Sequence, residues 1–203
     1  YMNKTFLILI GGASRVGKTT LVRKLLEKLP YYSLSTDRLK YMMGKLNVPL
    51  TKTSSKDWYC PEKWLRDIRK RDKEIWCWTK QYIISSIIEN QPLIVEGNLW
   101  PDYVDEDILA FLKVNNIKPI VLFITDMMPL EATIEKFKDL KRRDPYNWLN
   151  KYSDELLAWF AKCNKLRSES LIKLAKEYNY CFYNINEYIS LDEMQEVIIK
   201  KIM

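Results

Sequence analysis

The sequence contains no histidine and no cysteine pair of the CxxC type, and both absences narrow the chemistry that it can perform. Without histidine, no imidazole can act as a general base, as the partner of a nucleophile or as a metal ligand. The four cysteines are widely spaced, so we expect ordinary reduced thiols rather than a zinc site or a disulfide framework. Carboxylates and lysines must therefore carry any catalysis.

Long apolar runs are also missing from the sequence. No stretch reaches the length needed to cross a bilayer, and the first residues lack the pattern of a secretory signal. We therefore expect a cytoplasmic protein with no membrane partner. The formal net charge of +7 favours anionic ligands, but nucleotide phosphates, nucleic acid and a merely basic surface are all compatible with it. Nothing in the sequence predicts the oligomeric state.

Short apolar runs alternate along the chain with longer amphipathic stretches. The runs predict five strands, at Thr5–Ile10, Tyr31–Leu34, Leu93–Val95, Pro119–Ile124 and Cys181–Ile185. Strands that alternate with helices predict an α/β, doubly wound fold, with a mostly parallel five-stranded sheet and helices on both faces. We expect one domain over residues 1–203.

The carboxyl ends of the predicted strands carry polar residues. In parallel sheets of this kind, ligands bind in the crevice outside these ends. Four segments should therefore share one crevice: Gly11–Thr20, Ser35–Arg38, Glu96–Trp100 and Thr125–Asp126.

Residues 12–19 match the pattern GxxxxGK[ST] between the first predicted strand and a predicted helix that begins near Lys18. Such a loop cradles phosphates with its backbone N–H groups. Lys18 is expected to reach the β- and γ-phosphates, Thr19 to ligate magnesium and Thr20 to touch the α-phosphate. The alternative is a glycine turn that only joins strand to helix. The predicted cofactors are ATP and Mg²⁺, and the predicted nucleotide-binding residues are Gly12, Ala13, Ser14, Arg15, Val16, Gly17, Lys18, Thr19 and Thr20.

With this loop, the sequence resembles the P-loop kinases of the nucleoside-monophosphate-kinase-like group, among them adenylate kinase, shikimate kinase, chloramphenicol phosphotransferase and polynucleotide kinase. The resemblance spans nearly the whole chain. Two further segments, Leu34–Leu39 and Ile94–Asn98, look more weakly like strand ends of 2-phosphoglycerate-kinase-like members. The resemblance implies a three-layer P-loop NTPase fold, an acceptor-covering helical segment at about 47–90 and a small lid at about 138–150.

The resemblance also implies roles on the acceptor side. Asp37 would be the catalytic residue that takes the proton of an acceptor hydroxyl, and Arg38 would grip an acceptor phosphate. Glu96 would hold magnesium or the acceptor. Asn98 would bind substrate, and Trp100 and Asp102 are weaker candidates for the same pocket. In the alternative reading, Asp37 only stabilises a helix N-terminus and Glu96 only binds the neighbouring backbone, while Asp126 is expected to cap a helix.

A basic segment at Lys141–Pro145 lies where the resembling kinases carry lid arginines. Arg142 or Arg143 would be the catalytic arginine that stabilises the transferring phosphoryl group, with Arg167 a weaker candidate. A solvated basic turn is the alternative.

The sequence therefore predicts an ATP-dependent phosphotransferase that acts on the hydroxyl or phosphate of a small molecule. One alternative is a polynucleotide 5′-end kinase or nucleic-acid-binding NTPase, and the other is a nucleotide-hydrolysing switch. The residues that favour nucleic acid are Arg66, Arg69, Lys70 and Arg71, near Trp58, Tyr59 and Trp64. Their acidic neighbours Glu62, Asp67 and Asp72 instead favour a mixed solvated helix face.

Overall fold

A computed structural model describes residues 6–51, 60–143 and 148–203 of the chain. The strands are β1 (Leu7–Gly12), β2 (Tyr32–Ser35), β3 (Leu93–Glu96), β4 (Ile120–Thr125) and β5 (Cys181–Asn184). The helices of the described residues are α1 (Lys18–Lys28), α2 (Thr36–Lys45), α3 (Pro61–Ile88), α4 (Glu106–Val114), α5 (Leu130–Arg143), α6 (Asp154–Glu177) and α7 (Leu191–Ile202). Short 3₁₀ turns lie at Pro101–Tyr103, Trp148–Lys151 and Ile185–Glu187.

The five strands form one sheet in the order β2-β3-β1-β4-β5, and every neighbouring pair is parallel. The prediction of a doubly wound α/β fold is confirmed. In the register of the sheet, Glu96 at the end of β3 lies beside Ile10 of β1 and beside Ser35 of β2. The carboxyl ends of β1, β2 and β3 therefore meet at one edge of the sheet, with the helix α1 starting from the same place.

The central strand β1 is buried on both faces of the sheet. Its alternate residues Leu7 and Leu9 belong to a core cluster that includes residues of α3 and α4, whereas Ile8 and Ile10 belong to a second cluster with residues of α1 and α7. This is the burial expected of a parallel strand with helices on both sides. A smaller third cluster joins α5 to α6. None of the described helices is both long and apolar enough to span a bilayer.

The first strand continues two residues beyond its predicted end. Gly11 and Gly12 remain in the sheet and lie opposite Phe123 and Ile124 of β4. A Cβ atom added at Gly12 would lie 2.1 Å from the carbonyl oxygen of Ile124, and the φ angle of Gly12 is 146°. Only glycine therefore fits where the phosphate-type loop leaves the sheet.

Candidate active site

A cleft of about 680 Å³ opens at the carboxyl ends of β1, β2 and β3. Its lining residues are Ser14, Arg15, Val16, Gly17, Lys18, Thr19, Thr20, Asp37, Lys40, Trp64, Ile68, Arg71, Glu96, Asn98, Tyr152, Phe160 and Arg167. Five of these side chains are cationic and only two are acidic. The cleft is thus a positively charged site that suits an anionic ligand.

The loop between β1 and α1 forms one wall of the cleft and is fixed by two other helices. The backbone N–H of Ser14 donates to Oδ1 of Asn164 on α6, at 2.9 Å. On α7, the side-chain amide of Gln195 donates to the carbonyl oxygen of Gly17, at 3.2 Å. Arg15 and Gly17 have positive φ angles, 61° and 83°. The loop is therefore held in its curled shape by tertiary contacts.

Lys18 folds back over this loop. Its ammonium group donates to the carbonyl oxygens of Ala13, at 2.6 Å, and Gly12, at 3.3 Å. Burial is the largest cause that lowers the pKa of Lys18 to about 8, and the nearby Arg167 lowers it further. Glu96 and Asp37 partly oppose this by favouring the ammonium. An anionic ligand in the loop would stabilise the charged form of Lys18.

Two groups in the cleft fit a magnesium ion. Thr19 is exposed in the first turn of α1, and Glu96 is 6% exposed at the end of β3. No cluster of three or more aspartate, glutamate, cysteine or histidine side chains occurs among the described residues. Magnesium bound by one hydroxyl, one carboxylate and ligand phosphates needs no such cluster. The donor set therefore fits a metal that arrives with a nucleotide.

Asp37 lies in the first turn of α2 and lines the cleft. Its Oδ1 accepts a hydrogen bond from Nδ2 of Asn98 at 2.8 Å and lies 3.7 Å from Nζ of Lys40. The N–H of Asn98 donates to the hydroxyl of Thr36, at 2.8 Å. Ser35 precedes α2 and makes no side-chain capping bond, and the hydroxyl of Thr36 ties α2 to the residues after β3. Asp37 is thus oriented towards the cleft by Asn98.

Other predicted acceptor residues lie outside the cleft. Arg38 is exposed and is not among the lining residues. Trp100 is fully buried behind the cleft, and Asp102 pairs with Arg69 at 2.7 Å. The expectation that Trp100 lines the acceptor pocket is not met, because the turn after β3 directs this side chain into the core. The acceptor roles of Arg38 and Asp102 stay predictions. Gly97, with a φ angle of 132°, begins that turn.

Asp126 also lies away from the cleft, so the prediction that Thr125–Asp126 shares the crevice is wrong. Its carboxylate accepts from the N–H of Met128 at 3.1 Å and from Nζ of Lys136 at 2.7 Å. The cap position before α5 is occupied by Pro129, so Asp126 anchors the approach to this helix without capping it. The neighbouring lysine satisfies a carboxylate that is 3% exposed.

The two arginines predicted to act from a lid lie at the exposed end of α5. Nη2 of Arg143 is 2.8 Å from Oδ2 of Asp139, and Nη2 of Arg142 is 3.7 Å from Oε2 of Glu135. Neither arginine lines the cleft. The rest of the predicted basic turn, at Asp144 and Pro145, lies outside the described residues. The lid role of Arg142 and Arg143 stays a prediction.

Several residues of the site were not predicted from the sequence as acceptor-site groups. Arg71 enters the cleft from α3 and Lys40 from α2, while Arg167 enters from α6. The spacing of Trp64, Ile68 and Arg71 is that of one helix face, and this was the available signal. The sequence of α3 did not show whether this helix face lies towards the cleft or away from it.

Comparisons with known proteins find similar folds among solved structures. No family model and no curated protein matches the sequence significantly. A protein from Chloroflexus aurantiacus J-10-fl, inferred to be a kinase, has a similar solved structure with a TM-score of 0.58, 16% identity, and coverage of 99% of this chain and 97% of that one. The structure of a gluconokinase from Sinorhizobium meliloti 1021 has a TM-score of 0.50 and 14% identity, and the match covers 98% of this chain and 93% of that one. A solved structure of a protein from Eubacterium ventriosum ATCC 27560 has a TM-score of 0.51 and 17% identity, and the match covers 98% of each chain.

At these identities the likeness establishes the fold. The chain has the three-layer α/β fold of the P-loop kinases in the nucleoside-monophosphate-kinase-like group. The resemblance inferred from the phosphate loop is confirmed at this level.

Proposed function

We propose that this chain is a cytoplasmic phosphotransferase that moves the γ-phosphoryl group of ATP to a small-molecule acceptor. One observation carries the proposal. The loop at residues 12–19 lies at the N-terminus of α1 and faces a cleft that also contains Asp37 and Glu96. A nucleotide and an acceptor could therefore bind in the same solvent-accessible cleft, with the γ-phosphoryl group of the nucleotide next to the acceptor atom.

The nucleotide would lie with its phosphates against the loop. Backbone N–H groups and the dipole of α1 stabilise phosphate oxygens at such a position. The ammonium of Lys18 would exchange its carbonyl partners for the β- and γ-phosphates. Thr19 and Glu96 would hold magnesium, which supplies neutralisation of the charge that develops on the phosphate oxygens.

The acceptor would approach from the side of α2. In the transfer, the acceptor oxygen forms a bond to the γ-phosphorus as the bond to the β-γ bridging oxygen breaks, and ADP is released. Where the acceptor is a hydroxyl, its proton passes to the carboxylate of Asp37. Asn98 and Lys40 hold that carboxylate in place, at 2.8 Å and 3.7 Å from its Oδ1. Arg167 would add positive charge near the transferring group.

The first experiment measures nucleotide binding by calorimetry with Mg-ATP and Mg-GTP. We expect binding by the wild type and none detectable for Lys18→Ala, because the phosphate tail loses its ammonium partner. Lys28→Ala is the matched control, since Lys28 is an exposed lysine at the far end of the same helix. A Lys18→Ala protein that binds the nucleotide normally would refute the proposed loop.

The second experiment screens metabolites for an ATP-dependent mass gain of one phosphate. With the acceptor found, we expect Asp37→Asn to bind Mg-ATP normally and to lose most transfer to a hydroxyl, because general-base catalysis contributes roughly 10²–10⁴-fold. Wild-type transfer by this variant would exclude the base role. Hydrolysis without any acceptor would instead support the nucleotide-hydrolysing switch.

The structure does not strengthen the nucleic-acid alternative. Of the basic residues that motivated it, Arg69 pairs with Asp102 and Arg71 points into the cleft beside Asp72. The basic stretch is therefore divided: Arg66 and Lys70 are exposed, whereas Arg69 and Arg71 are half-buried beside carboxylates. Trp58 and Tyr59, which were expected to accompany it, lie outside the described residues.

A further inference from the structure

The two outer strands of the sheet differ in how they are protected from pairing with another chain. The sheet ends in β5 on one side and in β2 on the other. An outer strand presents unpaired N–H and C=O groups, and lysine side chains commonly block such an edge. At β5, Nζ of Lys176 lies 5.6 Å from the ring centre of Phe182, and Nζ of Lys201 lies 5.8 Å from that of Tyr183. This edge is therefore protected by two cations.

The strand β2 has an uncharged edge instead, since its four residues are YSLS. The N–H of Tyr32 donates to the carbonyl oxygen of Pro92, at 2.9 Å, so the backbone of Tyr32 faces β3. Successive residues of a strand direct their N–H and C=O groups to opposite sides, so those of Ser33 point away from the sheet. Ser33 is exposed, and no hydrogen bond joins its backbone to another described residue. One donor and one acceptor are therefore available on the same residue.

The helix α3 places aromatic rings beside this edge. Nζ of Lys80 lies 3.0 Å from Oδ2 of Asp105, so α4 flanks that side of α3. Trp78 and Tyr82 lie two residues before and after Lys80, which is about 200° around the helix. Because α4 leads from β3 across β1 to β4, the opposite side of α3 is the side of β2. Trp78 and Tyr82 therefore face the β2 edge.

Tyr32 lies on the same face of the sheet as these two rings. It is in register with Leu93, which belongs to the core cluster that α3 covers, and residues in register direct their side chains to one face. The exposed fractions are 57% for Tyr32, 55% for Trp78 and 45% for Tyr82. We call the surface formed by Tyr32, Ser33, Trp78 and Tyr82 the edge surface. None of its four residues lines the cleft.

The edge surface belongs to an uncharged region of a charged molecule. The exposed positions of α3 between residues 77 and 85 are Cys77, Trp78, Gln81, Tyr82 and Ser85. None of them is charged, although charged residues make up 29% of the chain and its net charge is +7. Few charges with several tyrosines and tryptophans are typical of the centre of a protein–protein interface. Because copies of a basic chain repel each other, they approach with the least repulsion at an uncharged surface.

The edge surface is also complementary to itself. Around a two-fold axis at Ser33, the β2 strands of two copies run antiparallel, and each Ser33 N–H donates to the C=O of the other Ser33. Tyr32 of each copy then lies opposite Leu34 of the other, which is a favourable cross-strand pair. Three half-exposed rings supply roughly 300 Å² per copy, against the about 800 Å² per partner that a standard interface buries.

We propose that two copies of this chain form a dimer through the edge surface, with β2 paired antiparallel to β2 of the partner and the two sheets joined edge to edge. This inference goes beyond the proposed function and does not depend on it, because it uses no residue of the cleft. The limited aromatic area predicts a weak dimer, with a micromolar dissociation constant.

The oligomeric state is measured by analytical ultracentrifugation of the full chain at about 1–200 µM, a range that brackets micromolar binding. We expect a reversible transition from a monomer of 24.3 kDa to a dimer of twice that mass. A chain that stays monomeric over the whole range overturns the proposal, whether or not another protein binds the same surface.

Two variants assign the dimer to the edge surface. Ser33→Pro removes the outward N–H without removing a bond to β3, and Trp78→Lys places a charge at the centre of the interface. Each should raise the dissociation constant of the dimer at least tenfold. Val114→Lys is the matched control, because Val114 is 82% exposed at the end of α4, outside the edge surface. If Ser33→Pro fails to fold, as circular dichroism would show, Trp78→Lys decides. A dimer that forms equally well in Trp78→Lys overturns the proposal.

A disulfide tests the two-fold axis directly. Ser33→Cys is made in a chain whose exposed cysteines Cys60, Cys77 and Cys181 are replaced by serine. Across a hydrogen-bonded antiparallel pair the two Cα atoms are about 5.5 Å apart, within the range that a disulfide spans. Mild oxidation should therefore yield a covalent dimer, and Val114→Cys in the same background should yield far less. Equal cross-linking in the two variants overturns the proposed pairing.

Discussion

The lowered pKa of Lys18 predicts that nucleotide binding takes up a proton. In the free protein, burial and Arg167 bring this pKa to about 8. Bound phosphates carry negative charge close to the ammonium, so they favour its protonated form and raise its pKa. The protein–nucleotide complex therefore holds more protons than its separate components wherever the pH approaches or exceeds the pKa of free Lys18.

The size of the uptake follows from the titration of one group. With a free pKa of about 8, the unprotonated share of Lys18 is about 0.1 at pH 7, about 0.5 at pH 8 and about 0.9 at pH 9. These shares are the numbers of protons taken up on binding. Above pH 8 the affinity should fall, approaching about tenfold, or about 1.4 kcal/mol, for each pH unit.

The assay is calorimetry of Mg-ATP binding in pairs of buffers that differ in ionisation enthalpy. The dependence of the observed heat on the buffer gives the number of protons taken up at each pH. Measurements from pH 7.5 to 9.5 avoid the titration of phosphate groups, whose second pKa is about 6. Dissociation constants from the same titrations give the predicted fall in affinity.

Two variants separate Lys18 from other sources of protons. Lys28→Ala should leave the uptake curve unchanged, because Lys28 is exposed and distant from the loop. Arg167→Gln should move the midpoint of the curve to higher pH, because it removes a positive charge that lowers the pKa of Lys18. A heat that does not depend on the buffer, with constant affinity up to pH 9.5, would refute the reasoning.

Three further predictions concern the scaffold of the site. Gly12→Ala should destabilise the protein by at least about 1–3 kcal/mol, because the added methyl group strains the backbone and overpacks the sheet. Gly44→Ala, in open space within α2, should stabilise the protein by up to about 1 kcal/mol. Thermal unfolding of both variants tests this, and equal melting temperatures would contradict it. Asn164→Ala should cost about 1–3 kcal/mol and weaken nucleotide binding, because a loop amide loses its acceptor; a variant with wild-type affinity for Mg-ATP would show that the contact is dispensable. Arg142→Ala and Arg143→Ala test the lid directly, since a loss of turnover in either supports it and wild-type rates in both exclude it.

Much of the scaffold could be predicted because local patterns agree with the fold. The isolated apolar runs of β1 and β4 gave strand boundaries close to those observed. The predicted end of β1, at Ile10, was less accurate, because the strand continues to Gly12. Glycine is usually a strand breaker, whereas here Gly12 stays in the sheet because its neighbour in β4 leaves no room for a side chain.

The acceptor side was predicted less well for a physical reason. A strand end tells which residues reach the edge of the sheet, but the turn that follows decides where their side chains point. Glu96 and Asn98 entered the cleft as expected, whereas Trp100 turned into the core. Arg71 lies in a helix, so the expectation that ligand-binding residues follow the carboxyl ends of the strands did not identify it.

The sequence by itself determined the fold class and the phosphate-type loop, because both depend on short-range patterns: apolar periodicity, and glycines and a lysine at fixed spacing. Only the tertiary structure decided which cations face the cleft. Arg71 and Arg167 are 96 residues apart in the chain, and the packing of α3 against α6 brings both guanidiniums to one carboxylate, that of Asp72. The charged residues of a helix can be identified from its own sequence. Which of them are buried, and which carboxylates they pair with, depends on how the helices pack.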